Sequence, residues 1–99
     1  MPTNPEIEII QINISGPDKP GMTSSLTDIL ARYDAFILDI GQANIHQSLT
    51  LGILVRTTSD KSGAIMKELL FKASELGVMI RFTPVSYTHL RAHETELHL

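Results

Sequence analysis

The stretch AFILDIGQANIHQSLTLGILVR, residues 35–56, decides the fold. Its second half places Leu49, Leu51, Ile53 and Val55 at every other position, the period of a half-buried strand. In its first half, Phe36, Leu38 and Ile40 share one face. The phase then slips at Gly41, so that Ala43 and Ile45 become the apolar set, and a glycine at a phase slip predicts a bulge. Only His46 and Gln47 separate the two runs, so they are expected to pair as an antiparallel hairpin.

An amphipathic helix lies on either side of this hairpin. Over residues 21–33, Met22, Leu26, Ile29, Leu30 and Tyr33 recur at three- and four-residue spacing. Over residues 62–76, Ile65, Met66, Leu69, Leu70, Ala73 and Leu76 do the same, and Gly77 stands where a helix end favours left-handed backbone. Further out is IEIIQINI, residues 7–14, a strand in which Ile10, Ile12 and Ile14 alternate with Gln11 and Asn13. Ile7 and Ile9 fall in the opposite phase, which implies either cover on both faces or a bulge between Ile9 and Ile10. VMIRFTPV, residues 78–85, forms the last strand, with Val78, Ile80 and Phe82 on one face. The order β-α-β-β-α-β predicts an α+β, ferredoxin-like βαββαβ sandwich: a four-stranded antiparallel sheet with two helices on one face. Apolar residues on the other face, notably Ile7, Ile9 and Leu54, call for a partner against the sheet or its edge, and a homodimer is the simplest one.

With 99 residues the chain has room for one domain. Net charge is −3, and no basic cluster suggests a nucleic-acid surface. There is no cysteine, hence no disulfide framework or thiolate metal site. No signal peptide and no apolar run of spanning length is present, so the expected location is cytoplasmic with no membrane partner.

The chemistry-bearing candidate is the connection SGPDKPGM, residues 15–22. Gly16 and Gly21 have the glycine spacing of a phosphate loop, but Met22–Thr23 follows in place of its Lys and Ser or Thr, so the lysine is missing. Two readings remain open. The loop is a plain strand-to-helix turn, or a clamp in which helix amides face an anionic group while Asp18 holds an ammonium. Asp18, Asp28, Asp34 and Asp39 show no grouping that would make a nucleophilic or metal-binding carboxylate site. His46 reads as a solvated turn residue. His89 and His93 are four apart, but Leu90 occupies the position where a zinc protease helix carries glutamate, so no metal site is expected. Lys67, Glu68, Lys72 and Glu75 populate an outer helix face, with Glu68 and Lys72 in the favourable i,i+4 order.

The run ISGPDKPGMTSSLTDILARYDAFILDIGQANIHQSLTLGILV, residues 14–55, resembles an ACT domain, and its DKPG turn entering a helix is typical of that family. Together with SGAIMKELLFKASELGVMIRFTPV, the wording over residues 7–85 is similar to the N-terminal region of bacterial phosphoserine phosphatases that carry ACT domains. The resemblance implies a regulatory, dimerising module of serine biosynthesis that binds an amino acid, serine foremost, at the interface of a pair. It implies that Asp18, Lys19, Pro20, Gly21 and Met22 line the ligand loop, with Gly41, Gln42 and Asn44 as the opposite wall. It also implies that many such modules only pair, without a ligand. The DxDxT-type loop of the phosphatases is absent, so this chain is expected to be a truncated, non-catalytic fragment without cofactor, magnesium belonging only to the missing catalytic domain.

Two rivals share the topology. An acylphosphatase-like enzyme needs an arginine in the loop after the first strand, where only Lys19 stands, and an RNA-recognition module needs aromatics on its central strands. Residues 1–6 read as a loose lead-in. The tail, residues 86–99, departs from the family: SYTHLRAHET resembles a translated sequencing adaptor, so residues 86–99 are expected not to be native sequence.

Overall fold

The computed structural model describes residues 6–85 of the chain; the lead-in before them and the tail of residues 86–99 lie outside the described residues. Along the chain run β1 (Ile7–Pro17), α1 (Met22–Arg32), β2 (Phe36–Ile45), β3 (Ser48–Thr58), α2 (Ser59–Leu76) and β4 (Met79–Val85). The strands form one antiparallel sheet in the order β2-β3-β1-β4, the expected ferredoxin-like sandwich. Two helices cover one face. Their buried residues Met22, Leu26, Ile29, Leu30, Ile65, Leu69 and Ala73 meet Ile10, Ile12 and Ile14 of β1 and Leu49, Leu51, Ile53 and Val55 of β3.

The period-two reading of β3 holds without interruption: its helix-side residues are buried and its other face is not. In β1, pairing is regular through Ile9 and Ile10 on both sides, so there is no bulge at that point. The double apolar phase has another cause. Ile10 enters the core, while Ile9 lies on the opposite face, in one row with Phe36, Arg56 and Val85. The Arg56 guanidinium sits 4.9 Å from the Phe36 ring centroid in that row.

β2 departs from expectation. The irregularity falls at Leu38, between Ile37 and Asp39, and Gly41 keeps regular register opposite Gly52. The reason is visible across the ladder: Ile37 faces Val55 and Ile40 faces Ile53, both core residues. Two positions three apart reach the same face only if one extra residue is accommodated between them. Leu38 is that residue.

Helix ends follow from backbone-permissive residues. Gly21 precedes α1 at φ 77° and Gly77 ends α2 at φ 71°, both left-handed, as read for Gly77. Beyond α2 the chain closes with Val78 N donating to Ala73 O at 3.0 Å. Asp34 after α1 and His46 in the β2–β3 turn adopt φ 56° and 57° without being glycine.

Candidate functional site

The β1–α1 connection is held on both sides. On the hairpin side, Asp18 N donates to Gln47 O at 2.9 Å, and Asn44 Nδ2 donates to Asp18 Oδ2 at 2.7 Å. Gln42 Nε2 in turn donates to Asn44 Oδ1 at 3.0 Å, and Thr23 Oγ1 lies 3.5 Å from Gln42 Oε1. A chain of polar side chains thus runs from the loop, along edge strand β2, to the first turn of α1. The register explains it: Gln42 and Asn44 stand opposite Leu51 and Leu49, on the helix-covered side, where an edge strand remains open to solvent.

On the other side, Lys19 Nζ donates to Leu76 O at 2.6 Å, at the end of α2. Lys19 therefore points away from Gln42 and Asn44. Pro20 and Gly21 form the exposed turn between them and the helix. Met22 is only 1% exposed and its side chain belongs to the core, so toward the loop it offers backbone alone. Gly41 lies one step out of phase with Gln42, on the opposite face of the sheet. The structure thus joins Asp18, Gln42 and Asn44 through side chains, and it adds Thr23.

No side chain caps the first turn of α1. Exposed helix-start amides are donors for an anion, and the Asp18 carboxylate and the side-chain carbonyls are acceptors for a cation. That combination suits a zwitterion. Among the described residues no group of three or more His, Cys, Asp or Glu side chains could hold a metal ion. No helix among them is long and apolar enough to cross a membrane.

A second polar cluster went unread in the sequence. Tyr33 donates its hydroxyl to Glu68 Oε2, and Arg32 Nη2 lies 3.1 Å from Glu68 Oε1. Glu68 thereby joins α2 to the end of α1 in place of the expected pair with Lys72, which meets Glu75 at 3.2 Å. The Tyr33 hydrogen bond, with Arg32 beside it, holds the Glu68 carboxyl below its ordinary range. The same bond pushes the Tyr33 phenol up. The available signal was weak: two helices on one face bring opposite charges together, but spacing within one helix does not say which.

Comparison with known proteins fits this architecture. Over 51 residues, 52% of the chain, the sequence is 39% identical to the phosphoserine phosphatase SerB2 of Mycobacterium tuberculosis, spanning 12% of that protein. It is 32% identical over 69 residues, 70% of the chain, to the UPF0237 protein YjhC of Lactococcus lactis, covering 79% of it. A crystal structure assigned as a glycine cleavage system transcriptional repressor superposes with a TM-score of 0.77 at 16% identity, over 81% of this chain and 47% of the other. The chain thus spans about one eighth of the phosphatase and about half of the repressor. The ACT domain family model matches residues 8–83, nearly the whole of the described sandwich, and the chain belongs to the ACT domain family.

Proposed function

We propose that this regulatory domain binds a small amino acid, serine foremost, against the β1–α1 loop, and that it pairs with a second copy through β2. We further propose that it is the sensing part of a phosphoserine phosphatase of serine biosynthesis. ACT domains in general bind small amino acids and dimerise. The observation that carries the reading is the Asp18–Asn44–Gln42 chain beside the uncapped start of α1. Asp18 takes the ligand ammonium, the first-turn amides of α1 take its carboxylate, and Gln42 with Thr23 faces a short polar side chain. The similarity to SerB2 supports serine as the first ligand to try.

The sheet edges support the choice of β2 for pairing. β4 contains Pro84, which has no N–H to offer a neighbouring strand. β2 is ten residues long without a proline, and it leaves Ile40 and Ile45 45% and 68% exposed. Beyond the Leu38 bulge, residues 39–45 form a regular, uncovered edge without proline, and such an edge is a template for another strand. Two copies related by a two-fold axis would each bring a loop to the shared seam.

Isothermal titration calorimetry with L-serine and light scattering of the 99-residue chain test this. Serine heat that Asp18→Ala abolishes, on a dimer that Ile40→Lys converts to a monomer, supports serine binding at the loop and pairing through β2. A dimer that takes up no amino acid leaves a purely structural pairing module. A monomer that binds nothing refutes both.

A further inference from the structure

We infer that Lys19 is a positioning residue that ties the β1–α1 loop to the junction of α2 and β4, so that loop occupancy and the end of α2 are coupled. The inference rests on the reading of the loop as an amino-acid site, and it assigns Lys19 a role other than lining that site. Lys19 Nζ donates to Leu76 O at 2.6 Å, and a Cβ added at Gly77 would lie 3.5 Å from the same nitrogen. α2 has no basic residue in its own last turn, so Lys19 supplies the cation at the negative end of that helix. A charge-assisted bond to an otherwise unpaired terminal carbonyl is among the stronger polar contacts available at a surface.

The backbone makes the link stiff. Asp18 and Lys19 share one planar peptide unit, and they point in opposite directions, Asp18 to Asn44 of the hairpin and Lys19 to Leu76. Lys19 precedes Pro20, which confines Lys19 to extended backbone while the proline ring fixes the next φ. On the strand side, Gly16 is packed directly on Val78, the residue two past Leu76. A ligand ammonium drawn to Asp18 competes with Asn44 and shifts the shared peptide. With Pro20 on one side and Gly16 against Val78 on the other, the nearest compliant element is the Lys19–Leu76 bond. Because coupling is reciprocal, loosening that bond must alter ligand affinity by the same factor.

The test uses the full chain labelled with 15N. The Gly77 amide reports directly, since its peptide carbonyl is that of Leu76. The variants are Lys19→Met, which removes the donor at an exposed position, and Lys19→Arg, which keeps the charge and donors. In the ligand-free protein Lys19→Met shifts the Gly77 resonance. L-Serine shifts it in the wild type and not in Lys19→Met, and the Met variant, freed of the bond that ligand binding strains, binds serine about fivefold or more tightly. Lys19→Arg restores both. Serine that shifts Asp18 and Asn44 but leaves Gly77 still overturns the coupling and spares the amino-acid reading, as does a Met variant with unchanged or weaker affinity. Serine that moves no resonance anywhere overturns both.

Discussion

Gly16→Ala sets two effects of opposite sign against each other, and the structure decides between them. Gly16 lies in β1 with no left-handed backbone, so alanine is sterically allowed there by φ alone. On that ground alanine should stabilise by about 0.4–1 kcal/mol, by restricting the unfolded chain. Against this, the new methyl carbon would lie 2.8 Å from Val78 Cγ1, 3.0 Å from its Cβ and 3.2 Å from its Cα. A rotamer change at Val78 moves only the first of these. The other two, Cβ and Cα, are fixed in place by a backbone held by Val78 N to Ala73 O at 3.0 Å and by the start of β4. Relief therefore requires β1 and the α2–β4 junction to separate, a strain typical of overpacked sites at about 1–3 kcal/mol.

The net expectation is a loss of about 1–2 kcal/mol, or a fall in Tm of about 5–15 °C for a domain of this size. Thermal and urea unfolding of the wild type, Gly16→Ala, Val78→Ala and the double variant measure it. Removing the Val78 methyls takes away the closest contact only, so the double variant should recover part of the loss beyond additivity. An unchanged or raised Tm in Gly16→Ala, or strict additivity in the cycle, would mean that the close approach does not govern this position.

Glu68→Gln should remove an acid-sensitive part of the stability. The folded carboxyl titrates below its ordinary 4.5, so its contribution is complete above that pH and fades as pH falls through the lowered value. Urea midpoints from pH 7 to pH 2 should therefore converge for wild type and Glu68→Gln at the acid end, and parallel curves would contradict the assignment. Tyr33→Phe removes the donor and should shift the Glu68 carboxyl back toward its ordinary value in a 13C NMR titration. Asp34→Gly relieves a left-handed residue at φ 56° and should raise stability by up to about 1 kcal/mol, read as an increased urea midpoint.

Most of the layer architecture could be read from the chain because burial on one face imprints a period. Ile10, Ile12 and Ile14 and the β3 run announced themselves, since each has the helices on one side and a different environment on the other. β2 was read with the wrong break for the same reason in reverse. As an edge strand, all its residues but Ile37 are exposed, so apolar character there no longer reports which face is buried. Phe36, Leu38 and Ile40 look like one face in sequence, yet Ile40 shares a face with Ile37, and Leu38 is the extra residue of the bulge. A bulge position is a property of the ladder, and the partner strand must be in place before it has meaning.

The same distinction separates the legible from the illegible parts of the loop. Gly77 was readable because left-handed backbone at a helix end selects one residue type, whereas Gly21, also left-handed, was read only as part of the turn. Lys19 and Glu68 were not readable, because a long charged side chain can choose among several partners, and the winning one is distant in sequence. Lys19 reaches 57 residues to Leu76 O, and Tyr33 reaches 35 residues to Glu68. Within α2, the i,i+4 rule named Lys72 for Glu68, a pairing worth only a few tenths of a kcal/mol. Arg32 and Tyr33 together offer an ion pair and a hydrogen bond to the same carboxylate, and so outcompete it. Local rules lose where the fold brings in a partner distant in sequence, and in this domain both such places involve a helix end, that of α1 at Arg32 and Tyr33 and that of α2 at Leu76.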